Sequence, residues 1–154
     1  MNSPEAIPQY RLVVVGTDGS PSADQAVDHA ARMVMAQGAR LVVVTAYSED
    51  AEIPPDAADA PSDIQWSTTL AGQAEGLARR GADRAGQLGA DVLSVRSQMG
   101  EPASVILDVA EELDADLIVV GSKGMTSPSR FLLGSVPNAI SHHAACDVLI
   151  VRTD

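Results

Sequence analysis

Short apolar runs take turns along this chain with stretches in which apolar residues recur every three or four positions. The runs at residues 10–15, 41–46, 91–96, 117–120 and 148–152 predict five strands. Between them lie helical patterns. Ser20 is placed as an N-cap and Pro21 as the first helical residue, where its missing N–H costs nothing. Ala23, Ala26, Val27, Ala30 and Val34 then fall on one face, and Gly38 supplies the stop after residue 37. A second helix is predicted from near residue 64, with Trp66, Leu70, Ala74, Leu77, Gly81, Ala85 and Leu88 on its core face. Its glycines at 72, 76, 81 and 86 each cost about 1 kcal/mol relative to alanine, so this helix depends on packing or on a partner. Gly100-Glu101-Pro102 opens a third helix that turns Val105, Ile106, Val109 and Leu113 inward, and residues 136–143 form a fourth. The succession βαβ, long loop, αβαβαβ predicts an α/β fold with a parallel sheet.

Residues 48–63 break the pattern. They hold three prolines and six acidic residues and no basic one, which predicts an exposed, flexible loop. The chain of 154 residues suits one domain, residues 10–154, behind an N-terminal extension at 1–9. Aromatic residues are only 3% of the chain, so the core must be built from Val, Leu, Ile and Ala, as in sheets covered by helices on both faces. A net charge of -11 argues against a nucleic-acid partner, since no cluster of Lys and Arg is available to meet phosphate backbones. Cys146 stands alone, which rules out an intrachain disulfide and fits a reducing compartment. No apolar run approaches the roughly 18 residues of a membrane span, and the N-terminus has no signal-peptide pattern. The expectation is a cytoplasmic protein without a membrane partner.

The chemistry concentrates behind the fourth strand, in Gly121-Ser122-Lys123-Gly124, nine further residues, then Gly134-Ser135. Glycines let a backbone approach an anion closely, and the free N–H groups of a helix start favour negative charge. Lys123, the only lysine in the chain, adds to that reading. Ser135 also suits an N-cap, a role that uses the same geometry. Taken alone, Gly16-Thr17-Asp18-Gly19 after the first strand reads as well as a tight turn capped by Asp18 as it does as a ligand contact.

The spaced glycines Gly121, Gly124 and Gly134-Ser135, the opening Val13-Val14-Val15-Gly16-Thr17-Asp18-Gly19-Ser20 and the ending Cys146-Asp147-Val148-Leu149-Ile150-Val151 together resemble the universal stress protein family, in its nucleotide-binding branch. The resemblance covers residues 10–152. It implies a Rossmann-like open five-stranded sheet of order 3-2-1-4-5, with an adenine nucleotide between the ends of strands 1 and 4, where such a sheet is expected to bind ligands. Carried over position by position, it sets Gly16, Thr17 and Asp18 beside adenine and ribose, Ala46 against the base, and Met99 and Gly100 across the base pocket. Gly121, Ser122, Lys123, Gly124, Gly134, Ser135 and Val136 would surround ribose and phosphates. Members of that branch often carry a second hydroxyl residue two places after the serine that Ser135 matches. Pro137 stands there instead and has neither hydroxyl nor N–H. AMP or cyclic AMP thereby competes with ATP, which would bring magnesium. The resemblance further implies a homodimer paired through residues 148–152.

Other constellations are weaker. His142 and His143 are adjacent, about 100° apart on a helix, and make a poor chelate; charge compensation at the helix end suits them better. Cys146 reads as packing at a strand start and Trp66 as core or interface. The acidic run lacks the spacing of a calcium loop. An ATP-hydrolysing enzyme is opposed by the absence of a Gly-x-x-x-x-Gly-Lys-Ser/Thr loop and of an evident general base, though slow hydrolysis by bound water stays open. A regulatory nucleotide-binding module without catalytic residues is the favoured expectation, and a dimeric interaction scaffold with no ligand is the third.

Overall fold

The computed structural model describes residues 9–48, 69–123 and 133–153. Trp66 and Gly124 lie outside the described residues, as do residues 49–63 of the acidic stretch and residues 1–8 of the N-terminal extension. The elements are β1 Leu12–Gly16, α1 Pro21–Gln37, β2 Arg40–Tyr47, α2 Leu70–Gln87, β3 Val92–Met99, α3 Pro102–Glu112, β4 Leu117–Gly121, α4 Ser135–His143 and β5 Asp147–Val151. All strands run parallel in the order β3-β2-β1-β4-β5, as the family resemblance implied.

Side chains alternate between the two sheet faces. Val13, Val15, Leu41, Val43, Leu117 and Val119 meet α1 and α2 on one face. Val14, Val42, Val44, Ile118 and Val120 meet α3 and Ile140 of α4 on the other. Because β1, β2 and β4 are buried on both sides, they read in sequence as unbroken apolar runs. The outer strands β3 and β5 are only half covered, and β3 accordingly mixes polar and apolar residues. Among the described residues no helix is long and apolar enough to cross a membrane.

α1 follows its sequence signals closely. Ser20 is the N-cap and accepts from the Ala23 N–H at 3.1 Å, Pro21 opens the helix, and Gly38 closes it in the left-handed region. β3 runs on to Met99 instead of ending at 96, because its pairing with β2 continues until Tyr47 meets Met99. The start of α2 is Thr69, whose side chain accepts from the Gly72 N–H; residues 64–68 lie outside the described residues. The expected core face of α2 needs revision at one end. Leu88 is the C-cap and is exposed, while Gly72 and Ala78 join Ala74, Gly81 and Ala85 inside. Gly81 explains one of the four costly glycines. A Cβ there would stand 3.1 Å from Val43 Cγ1 and 3.4 Å from Thr17 Cγ2, so the helix backbone lies close against the sheet. Gly76 and Gly86 face open space, and nothing in the structure explains them. Leu113, expected in the core face of α3, caps that helix half-buried; Ala103 and Ala110 pack inside in addition to Val105, Ile106 and Val109.

Candidate functional site

The carboxyl ends of β1 to β4 lie side by side and present four loops on one edge of the sheet. β1 hands over to its loop without breaking register, as the Thr17 N–H donates to the Val44 carbonyl at 2.9 Å and the Thr45 hydroxyl donates to the Thr17 carbonyl at 2.9 Å. The loop then turns on its own side chains. Gly19 N–H donates to Thr17 Oγ1 at 3.1 Å and Ser20 N–H to Asp18 Oδ1 at 2.9 Å. Gly19 has φ +79°, the left-handed conformation that favours glycine, and a Cβ there would lie 2.6 Å from Leu77 Cδ2 of α2, whose end would have to move. Asp18 is exposed, one carboxylate oxygen held in the turn.

Beside this loop, Ala46 sits half-buried near the end of β2, and Met99 is 48% exposed at the end of β3. The Gly100 N–H donates to the Tyr47 carbonyl at 2.9 Å and carries the β2–β3 ladder one step further. Ala46, Met99 and Gly100 thus stand at the carboxyl ends of β2 and β3.

On the other side of β1, the chain leaves β4 at Gly121. A Cβ on Gly121 would be 3.0 Å from Ser22 Oγ and 3.3 Å from the Ser22 carbonyl, so the start of α1 and the exit of β4 touch through a position that needs a bare backbone. Ser122 N–H donates to the Val151 carbonyl at 2.8 Å, and Gly134 N–H donates to the Ser122 carbonyl at 2.9 Å. The second bond brings the two glycine-bearing segments, 121–123 and 134–136, together. Lys123 is half-buried there.

The start of α4 differs from expectation in one respect: Gly134 is the N-cap, extended at φ -60° and ψ 160°, and Ser135 is the first helical residue. The Gly134 N–H is drawn to Ser122, which places the cap one residue earlier. Among the described residues no side chain caps this helix, and its first turn has no acidic residue. Helical geometry leaves the N–H groups of Ser135 and Val136 without intrahelical acceptors, and Pro137, in the third helical position, has none to offer. The Ser135 side chain is exposed beside them. The arrangement can hold an anion by two N–H groups, a hydroxyl and the helix dipole, with a lysine nearby.

The structure therefore brings together Gly16, Thr17, Asp18, Gly121, Ser122, Lys123, Gly134, Ser135 and Val136, with Ala46, Met99 and Gly100 alongside. Sequence reasoning missed Ser22, Thr45 and Thr153, which hold the loops from behind. Of these only Thr45, set within the apolar run of β2, carries a signal in the sequence. Away from this edge, Cys146 is half-buried, and desolvation together with the carboxylates of Asp147 and Asp116 pushes its thiol pKa up, the opposite of a reactive thiolate. His142 and His143 occupy the last turn of α4. A depression beside α2 lined by Ala82, Asp83, Gly86, Gln87, Ala90 and Val92 lies where β3 begins, at the other end of the sheet.

The family model described as "Universal stress protein family" matches residues 9–152. Universal stress protein Rv1636 of Mycobacterium tuberculosis (strain ATCC 25618 / H37Rv) is 40% identical over 147 residues, 94% of this chain and 97% of that protein. A crystal structure of a universal stress protein in complex with cAMP superposes with a TM-score of 0.69 at 36% identity, over 96% of this chain and 100% of the other. A universal stress protein from Archaeoglobus fulgidus in complex with dAMP shares the fold, with a TM-score of 0.60 at 23% identity over 93% of this chain and 98% of that one. The glycine-bearing loops, the strand order 3-2-1-4-5 and likeness along nearly the whole sequence lead to one conclusion: this chain belongs to the universal stress protein family.

Proposed function

We propose that this protein binds an adenine nucleotide across the ends of β1 and β4 and acts as a sensor or sequestering module, not as an enzyme. The observation that carries the reading is the start of α4, which no described side chain caps and which the Gly134 to Ser122 bond holds against the loop after β4. The base would rest on Ala46, Met99 and Gly100, and the ribose beside Gly16, Thr17 and Asp18. The phosphate would meet Gly121, Ser122, Lys123, Gly124, Gly134, Ser135 and Val136. The family relative whose structure is described as a cAMP complex supports an adenine ligand.

Pro137 leaves two N–H donors in the first turn, enough for one phosphate group and few for three. AMP and cyclic AMP are therefore expected to bind more tightly than ATP. Magnesium, where it accompanies ATP, would be carried on the phosphates, with Asp18 the carboxylate that the loop after β1 offers. A bound ligand would stabilise the folded state in proportion to its concentration over Kd, which is how the protein would report nucleotide level. The same reading includes a homodimer through residues 148–152, supported by the position of β5 as the last strand of the sheet.

Calorimetric titration of nucleotide-stripped protein with ATP, AMP and cyclic AMP, with and without magnesium, tests the reading. Saturable binding is expected, monophosphates ahead of ATP. No heat with any of the three would leave the loops architectural and favour an interaction scaffold.

A further inference from the structure

Three hydroxyl side chains, those of Ser22, Ser122 and Thr153, meet behind the loop after β4. Ser22, in the first turn of α1, donates to the Lys123 carbonyl at 2.8 Å, and its oxygen is also in hydrogen-bond contact with Thr153 Oγ1. Thr153 Oγ1 lies 3.4 Å from Ser122 Oγ, and the Thr153 N–H donates to that same Ser122 oxygen at 3.0 Å. Thr153 follows β5 by two residues yet is only 1% exposed.

Each hydroxyl has one proton to give, and that determines the direction of the chain. Ser22 gives its proton to Lys123, so Thr153 must donate to Ser22, and Ser122 in turn donates to Thr153. The relay runs Ser122 to Thr153 to Ser22 to the Lys123 carbonyl. The Ser122 backbone is held at both ends as well, its N–H by Val151 and its carbonyl by Gly134. One buried side chain from the end of the sheet thus links the start of α1, the exit of β4 and the N-cap of α4. Filling space would require only a valine there; a hydroxyl is what its two partners, Ser22 and Ser122, use.

We propose that Thr153 is a positioning residue for the anion-binding loop: through this relay it holds Lys123 and Gly134 so that the N–H groups of Ser135 and Val136 point to a common centre. The identity of the anion rests on the nucleotide reading, whereas the relay does not. Thr153→Val keeps the shape and removes the hydroxyl. It is expected to bind adenosine as the unaltered protein does but AMP about tenfold more weakly. The Gly134 amide should exchange hydrogen faster in the variant without any ligand. Thr153→Ser should restore both, and Ser22→Ala, which cuts the next link, should reproduce the loss.

An AMP-to-adenosine affinity ratio unchanged in Thr153→Val would overturn the proposal. If the unaltered protein binds neither ligand, the nucleotide reading falls separately. The exchange measurement then decides the relay alone: faster Gly134 exchange upholds it, and an unchanged rate overturns it.

Discussion

α1 and α4 both follow a strand that lies at the middle of the sheet, and their starts stand on the same edge, yet they end their dipoles in opposite ways. α1 satisfies itself. Ser20 caps the Ala23 N–H, Pro21 removes a donor, and Asp24 brings negative charge into the first turn. Arg84 of α2 reaches back to Asp24 at 3.6 Å and to Asp28 at 2.6 Å, so even that acidic face is neutralised from within the fold. α4 has a glycine cap, no acid in its first turn and, among the described residues, no side-chain bond to that turn. The difference teaches where an outside anion can be useful. At α1 it would displace groups already paired, whereas at α4 it would supply what the chain withholds.

The sharpest way to break this comparison is to put a carboxylate at each start. Ser135→Asp adds negative charge at the first position of α4, where it suits the dipole and repels phosphate. Nucleotide affinity is expected to fall about a hundredfold in calorimetry, while Tm holds or rises. Ser20→Asp keeps a good cap at α1 and should leave affinity unchanged. Equal losses in both variants would mean that the two starts are not distinct.

A smaller effect concerns stability. Ser20→Ala removes a buried cap bond and should cost about 1 kcal/mol in denaturant unfolding with unaltered slope, and about that only. Gly134 has no cap bond to lose by comparison.

The smallest effect is the neutralisation of α1. Arg84 holds the Asp28 carboxyl below its usual range, chiefly through a charged hydrogen bond. A lowered carboxylate pKa contributes stability above the unfolded value and loses it as pH falls through the folded one. Because the pair is partly exposed and screened, Arg84→Ala should cost only about 0.5 kcal/mol at neutral pH. In acid titrations the difference between variant and parent should vanish below the Asp28 folded value and shrink with salt.

Much of the fold was legible because the physics behind it is local or periodic. Val13 to Val15 and Leu117 to Val120 announce strands covered on both faces, and Ser20-Pro21 with Gly38 brackets α1 at both ends. The composition of Ser97 to Met99 does not announce a strand; pairing with β2 holds these last residues of β3. Helical spacing places Leu88 on the core face, but the helix ends at Gln87, and Leu88, as its C-cap, is exposed. In the candidate site, the glycines were visible from their spacing, but which residue caps α4 was not. Ser135 is the better cap by type; Gly134 takes the place because its N–H has an acceptor in Ser122.

The sequence by itself determined the alternation of strands and helices, the parallel sheet and the glycine-bearing loops. These follow from side-chain period, cap chemistry and backbone freedom, each set within a few residues. Only the tertiary structure decided which groups stand behind those loops. Ser22, Ser122 and Thr153 are separated by up to 131 residues and meet because β1, β4 and β5 end on one edge. Contact between distant hydroxyls leaves no local pattern, since any of them would be an ordinary polar residue until the sheet closes over it.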